Sequence, residues 1–156
     1  MANPRIESRS EGNLIKVVAI FNKPGMEQKI GHAQGVIEGD GIGLLGDILV
    51  QERIFVPGRL FGLKKIPYFP RRQGVGAELL ARFESEMASL GVTRIYGHLP
   101  NENPEVIECL VNWYQKRGYQ VNLDPAPGEI PRGSRGKISK LIDQPHHHGI
   151  PQTEKL

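Results

Sequence analysis

The chain has 156 residues, of which 38% are hydrophobic and 24% charged, a composition typical of one globular domain and not of a disordered chain. Its formal net charge of +3 does not by itself indicate a nucleic-acid-binding protein. The sequence has no membrane-spanning apolar run and no signal-peptide pattern, and the single Cys109 cannot form an internal disulfide. We therefore expect a soluble cytoplasmic protein that binds neither membranes nor nucleic acid.

The N-terminal part of the chain predicts an antiparallel meander that follows an extension at residues 1–12. No segment before residue 76 has helical periodicity, and Gly39-Asp40-Gly41 is a tight-turn signal. Gly46 in mid-strand favours a bulge. Strands are predicted over residues 13–21, 29–38 and 42–55.

Residues 57–70 form a long connection that is rich in proline and aromatic residues. We expect a loop there, and our hypothesis is that it closes over a bound molecule. The basic residues that lead into the next helix suit the phosphates of a cofactor, although an acidic acceptor or a solvated loop would also explain them. These residues are Arg59, Lys64, Lys65, Arg71 and Arg72.

The sequence Arg71-Arg72-Gln73-Gly74-Val75-Gly76 stands directly before a predicted helix at residues 77–90. A glycine-bearing turn that feeds a helix directs free backbone N–H groups at one point, and the helix N-terminus carries partial positive charge. This pattern predicts a phosphate or pyrophosphate site. The spacing does not match a P-loop or a dinucleotide-binding turn, because Leu79 stands where the latter needs its third glycine.

The remaining chain alternates helices and strands. Asn103 and Pro104 mark the start of a second amphipathic helix, which Gly118 ends. A loop is predicted at 124–136 and a C-terminal tail at 143–156, whose His146-His147-His148 run lacks metal-ligand spacing. The flanking strands are predicted at 93–99, 119–123 and 137–142.

Two segments resemble signatures of the GNAT superfamily of acyl-CoA N-acyltransferases. Arg71-x-x-Gly74-x-Gly76 resembles the pyrophosphate-binding motif, and the run from Trp113 to Tyr119 resembles the second signature. The resemblance implies an α/β (α+β) fold, the acyl-CoA N-acyltransferase fold, with a mixed, mostly antiparallel central sheet and two main helices. It indicates an N-terminally abbreviated member whose single domain covers residues 13–142.

The resemblance also implies a site. Acetyl-CoA would be the cosubstrate, without a metal, and an unidentified amine would attack its thioester directly in a ternary complex. Leu49 and Val50 would offer backbone groups to pantetheine, and Tyr114 would protonate the leaving thiolate. The pyrophosphate would be held by Arg71, Arg72, Gly74, Val75, Gly76 and Ala77.

A base for the amine is harder to identify from sequence. Asp47 is the first candidate, and Glu52, His98 and a chain of waters are alternatives. A non-catalytic acyl-CoA-binding regulatory module or a small basic nucleic-acid-binding domain would also account for parts of the pattern. The acceptor is left open between a small molecule and a peptide, and the oligomeric state between a monomer and a homodimer.

Overall fold

The computed structural model of the chain describes residues 4–23, 26–52, 54–57, 65–68 and 70–142. The helices are α1 (Val75–Ser89) and α2 (Pro104–Lys116), and a short 3-10 turn covers Pro70–Gln73. The strands are β1 (Arg5–Ser8), β2 (Leu14–Lys23), β3 (Met26–Gly39), β4 (Ile42–Val50), β5 (Ile54–Pro57), β6 (Lys65–Tyr68), β7 (Arg94–Pro100), β8 (Gln120–Asn122) and β9 (Ser134–Leu141).

The main sheet has seven strands in the order β1-β2-β3-β4-β7-β9-β8. Strands β4 and β7 pair in parallel, whereas β1 with β2, β7 with β9 and β8 with β9 pair antiparallel. The chain passes from β4 to β7 through α1, as a parallel connection requires. This mixed sheet with two helices confirms the predicted fold.

Three predictions about strands need correction. The predicted strand at 42–55 ends at Val50, because the exposed polar residues Gln51 and Glu52 interrupt its apolar pattern, and Ile54–Pro57 pairs antiparallel with Lys65–Tyr68 in a separate sheet. The predicted loop at 57–70 therefore contains β6, while residues 58–64 and 69 lie outside the described residues. Strand β1 was not predicted, since Ile6 is the only apolar side chain in it.

Contacts along the chain define two compact units. The first comprises the described residues of Met1–Gly35 and Asp47–Glu86. In its core, β2 is buried on both faces, since successive residues from Val17 to Phe21 are at most 2% exposed. The face of α1 that packs in this unit carries Val75, Leu79, Leu80 and Phe83.

The second unit comprises the described residues of Val36–Gly46 and Met87–Leu156. Strands β7 and β9 form its centre, and Gly97 lies so close to Ile138 that a Cβ there would come within 3.3 Å of the isoleucine side chain. The buried apolar residues of this unit are Leu45, Met87, Ala88, Val92, Ile95, Leu99, Ile107, Tyr119 and Ile138.

The local signals around the helices are confirmed. Asn103 accepts a hydrogen bond at its side-chain oxygen from the Val106 backbone N–H over 3.0 Å, as an N-cap does. Gly91 and Gly118, predicted to end the helices, have φ angles of +88° and +91°. No described helix is long and apolar enough to cross a bilayer. The tail with His146, His147 and His148 lies outside the described residues.

Candidate active site

The predicted anion site lies in the first unit, where the 3-10 turn leads into α1. Gly74 joins the two with φ at +75°, a left-handed conformation that favours glycine. The first α-helical hydrogen bond runs from Glu78 N–H to Gly74 O over 3.1 Å. The N–H groups of Val75, Gly76 and Ala77 therefore precede the first helical donor, lack an α-helical acceptor and can face an anion.

The side chain of Val75 fixes this helix start in the core. It is only 1% exposed, whereas Gly74 before it is exposed and a Cβ built there would meet no atom within 4 Å. One residue therefore anchors the turn while its neighbour leaves open space at the backbone. This arrangement suits the predicted roles of Gly74, Val75, Gly76 and Ala77, which stay predictions.

Arg71 makes a contact that the sequence did not indicate. Its Nε donates a hydrogen bond to the backbone oxygen of Val50 over 2.9 Å. This bond ties the glycine turn to the end of β4, the strand predicted to bind pantetheine, and it engages the Val50 carbonyl. Arg71 therefore has a structural role beside its predicted role in pyrophosphate binding; the Arg72 side chain lies outside the described part.

The second half of β4 differs from its first half. Its register with β7 covers Ile42–Leu45 and Arg94–Gly97, and β4 then continues to Val50. Along the first half of β4 the less exposed residues are the odd-numbered Gly43 and Leu45. Along the second half they are the even-numbered Ile48 and Val50. One extra residue near Gly46 would produce this change, which agrees with the predicted bulge.

The adjacent strand β3 approaches this end of β4 closely. A Cβ at Gly31 would lie 2.7 Å from the Leu49 backbone oxygen and 3.2 Å from Leu79 Cδ1. The Leu49 side chain is 54% exposed. The backbone of β4 at Leu49 therefore packs directly against Gly31. A side chain at position 31 would displace this end of β4, where pantetheine is predicted to bind.

Asp47, the first candidate base, has a partner that sequence analysis missed. His32 Nε2 lies 2.9 Å from Asp47 Oδ2, and the imidazole is the donor because a carboxylate only accepts. The His32 side chain is 13% exposed, whereas that of Asp47 is 49% exposed. The sequence did contain a signal for this contact. If Asp40 is the centre of the predicted hairpin, the residue eight positions before it, His32, lies opposite the residue eight positions after it, Ile48, which is next to Asp47.

Tyr114, the predicted acid, lies in the second unit in an aromatic cluster on α2 and the segment that follows it. Its ring meets Trp113 and Tyr119 edge to face, with centroids 5.0 and 5.4 Å away. No hydrogen bond joins its hydroxyl to another described residue. Burial raises the pKa of Tyr114 to about 12, which keeps the hydroxyl protonated.

The rival bases have different surroundings. Glu52 is exposed just after β4. His98 on β7 is partly buried, with its ring 5.6 Å from that of Tyr96. Burial, followed by repulsion from Lys137, lowers the pKa of His98. Within the ranges that the structure describes, no cluster of three or more histidine, cysteine or acidic residues could hold a metal ion.

The sequence matches no protein-family model and no curated protein. Solved structures do match. A GNAT-family acetyltransferase from Staphylococcus aureus Mu50 has a TM-score of 0.59 at 13% identity, covering 83% of this chain and 69% of its own. An aminoglycoside 6'-acetyltransferase type Ii has a TM-score of 0.55 at 17% identity, with 84% and 70% covered.

The Escherichia coli ribosomal-protein-S18-alanine N-acetyltransferase has a TM-score of 0.53 at 15% identity, covering 89% of this chain and 76% of its own. The three similarities cover 83%, 84% and 89% of this chain, at identities too low to transfer a substrate. They agree with the strand order and the parallel pairing of β4 with β7. The chain therefore has the acyl-CoA N-acyltransferase fold of the GNAT acetyltransferases.

Proposed function

We propose that this protein is an N-acetyltransferase that moves an acetyl group from acetyl-CoA to an amine. The observation that carries the proposal is the helix start after Gly74, where the N–H groups of Val75, Gly76 and Ala77 precede Glu78, the first helical donor. A diphosphate needs several donors that converge without a side chain in the way, and this turn supplies them. The Arg71 contact to Val50 links that turn to the strand that would pair with pantetheine.

The proposed reaction uses groups of this chain to activate the amine and to stabilise the leaving thiolate. The substrate ammonium loses a proton to Asp47, directly or through water, and the amine nitrogen then bonds to the thioester carbonyl carbon. The C–S bond breaks, sulfur leaves with the bonding electrons, and the Tyr114 hydroxyl supplies a proton or hydrogen bond to the thiolate. After the C–N bond has formed, the nitrogen loses a second proton to solvent. The products are the amide and coenzyme A, with a net release of one proton once Asp47 and Tyr114 have returned to their starting states.

The raised pKa of Tyr114 favours hydrogen bonding over early proton transfer. An alkyl thiol has a pKa near 8.5, so a phenol whose pKa is about 12 gives up its proton to a thiolate only uphill. The hydroxyl would therefore stabilise developing charge on sulfur as a donor. Solvent then provides the proton that makes free coenzyme A.

The acceptor is proposed only as a class. Of the similar structures, one is an aminoglycoside acetyltransferase and another acetylates an alanine of a ribosomal protein, so the fold serves both small molecules and polypeptides. In the part of the chain that the structure describes, no α-helix precedes Val75. We infer an acceptor site less enclosed than one walled by N-terminal helices, which suits a primary amine on a peptide or a small polar molecule.

The cofactor half of the proposal is tested by calorimetric titration with acetyl-CoA. Gly76→Asp places a carboxylate where the diphosphate would lie and should abolish binding. Ala81→Asp is the matched control, because it adds the same charge to an exposed position of the same helix. Retained affinity in Gly76→Asp would contradict the proposed site.

The catalytic half is tested by release of free coenzyme A, detected with a thiol reagent, across a panel of aminoglycosides, polyamines, amino acids and peptide N-termini. An acetylated product confirmed by mass spectrometry would establish the enzyme. Acetyl-CoA binding without thiol release from any amine would favour the non-catalytic binding module instead. Absence of both would reject the two readings together.

A further inference from the structure

A cavity of about 490 Å³ opens on the sheet of the second unit. It is large enough for a small metabolite, since ligand pockets start at roughly 300 Å³. Its lining is mainly polar and comes from the ends of β3 and β4, from β7, β8 and β9, and from the loop before β9. The charged and hydroxyl groups in it are Glu38, Arg94, Tyr96, Glu129, Lys137 and Ser139.

Glu38 is a carboxylate whose bonds within the described chain do not neutralise it. The Tyr96 hydroxyl donates to its two oxygens over 2.7 Å, and no cation among the described residues forms an ion pair with it. Burial, and then the bond to Glu38, raises the pKa of Tyr96 to about 12, so Tyr96 stays a donor. The bond thus orients the carboxyl group without supplying a counter-charge.

Arg94 supplies the opposite charge on the same wall. It is exposed and makes no ion pair with any other residue that the structure describes. Arg94 and Tyr96 are two residues apart on β7, so their side chains project from the same face of the sheet. A free guanidinium therefore lies beside the phenol that holds Glu38.

The other two charges in the cavity are already matched. Lys137 Nζ lies 3.8 Å from Glu129 Oε2 and 5.3 Å from the centre of the Tyr96 ring. Of the four charges, Lys137 and Glu129 thus form one pair, while Glu38 and Arg94 each lack a counter-ion among the described residues. Two opposite charges that share a cavity without pairing are complementary to a ligand that carries both signs.

We propose that this cavity binds a small zwitterion of the amino-acid class, with its ammonium at Glu38 and its carboxylate at Arg94. Ser139, which pairs with Tyr96 across β7 and β9, would offer a hydroxyl to the polar body of the ligand. The site does not depend on the proposed acetyltransferase activity. Its charges lie in an open cavity, so we expect selectivity for charge pattern more than high affinity.

Calorimetric titration of the full chain with glycine, β-alanine and 4-aminobutanoate, beside propylamine and butanoate, tests the proposal. We expect one zwitterion to bind at least tenfold more tightly than either compound of single charge. Glu38→Gln and Arg94→Gln should each weaken that zwitterion about tenfold. Glu105→Gln and Arg132→Gln, which change exposed charges outside the cavity, should leave it unchanged.

Equal binding of zwitterion and single-charge compounds, or unchanged binding in both cavity variants, would overturn the proposal. Glu38→Gln keeps an acceptor for Tyr96, and far-ultraviolet circular dichroism confirms that each variant is folded. A bound zwitterion that becomes acetylated would be the acceptor of the proposed reaction, and one recovered unchanged would be an effector; either outcome supports the site. Acetyl-CoA titration of the same variants separates this result from failure of the cofactor site.

Discussion

The imidazole of His32 on β3 donates a hydrogen bond to the carboxylate of Asp47 on β4, with 2.9 Å between Nε2 and Oδ2. His32 Nδ1 is buried without a partner among the described residues. The bond to Asp47 places a proton on Nε2, because a carboxylate only accepts. The bond directs one oxygen of Asp47 toward His32 and leaves the other free to accept a proton from a substrate amine.

We expect Asp47→Asn to lower kcat about 100-fold, because an amide cannot accept the ammonium proton. His32→Ala should lower kcat about tenfold through loss of orientation, and His32→Gln, which keeps an N–H donor, should restore part of it. Acetyl-CoA affinity should stay within twofold in all three variants. Steady-state kinetics with varied amine, together with acetyl-CoA titration, provide the measurements.

The rival bases give the control for this expectation. Glu52→Gln and His98→Gln remove the other two candidates that the sequence offers. A larger loss of kcat in either of them than in Asp47→Asn would assign the base elsewhere. Equal activity in all variants would indicate proton loss through water alone.

We expect Tyr114→Phe to lower kcat between 10- and 100-fold while acetyl-CoA still binds. The phenyl ring keeps the edge-to-face contacts with Trp113 and Tyr119, so folding should be nearly unaffected. Because burial raises the pKa of Tyr114 to about 12, the hydroxyl stays protonated from pH 6 to 10. The pH–rate profile of the unmodified protein should therefore show no falling limb from this group within that range; a limb near pH 9 that Tyr114→Phe removes would contradict the assignment.

Sequence patterns that involve only a few neighbouring residues were sufficient to predict the ends of the helices. The cap at Asn103, the left-handed stops at Gly91 and Gly118, and the glycine turn at Gly74 depend on neighbouring residues only. The strand order followed from the resemblance. Strand β1 was not predicted, because it has no alternating apolar pattern and is defined only by its pairing with β2.

The parts of the site that were missed are long-range pairs. His32 and Asp47 are fifteen positions apart, and Arg71 reaches back to Val50 across the connection between them. Neither residue type reveals its partner, since arginine suits a phosphate as well as a carbonyl. Local pattern therefore located the helix start, while the contacts that orient Asp47 and tie the glycine turn to β4 required the three-dimensional structure.

Gly74→Ala should destabilise the protein by about 1–2 kcal/mol, the cost of a left-handed conformation for an L-residue. The cost should be confined to the backbone, because no atom lies within 4 Å of the added Cβ. Gly74→Asn should cost less, since asparagine tolerates that conformation. Urea denaturation measures the order, and a Gly74→Ala protein as stable as the unmodified one would show that this turn adopts another conformation.

Gly31→Ala should disturb acetyl-CoA binding more than Gly43→Ala does. At Gly31 the new Cβ would lie 2.7 Å from the Leu49 backbone oxygen, so β4 must shift where pantetheine is proposed to bind. At Gly43 the nearest atom is Met87 Sδ at 2.8 Å, in a flexible side chain that can move aside. We expect at least a tenfold loss of acetyl-CoA affinity for the first variant and under threefold for the second; the reverse order would dissociate Leu49 from the cofactor site.

His98 predicts a specific pH dependence of stability. Burial, and then the charge of Lys137, lowers its pKa below the ordinary value of 6.5, while Glu38 partly opposes the shift. The unfolded chain therefore binds a proton at this position more readily than the folded chain, so the free energy of unfolding falls as pH decreases below 6.5. His98→Gln removes this contribution.

Urea denaturation at pH 7.5 and 5.5 should accordingly show a smaller loss of stability for His98→Gln than for the unmodified protein. Lys137→Met tests the second cause, because it removes the repelling charge and should also reduce the loss. The Tyr96 ring beside His98 is unchanged in both variants. An identical pH dependence in all three proteins would mean that His98 takes up a proton as easily folded as unfolded, and that the surroundings of β7 do not disfavour its charged form.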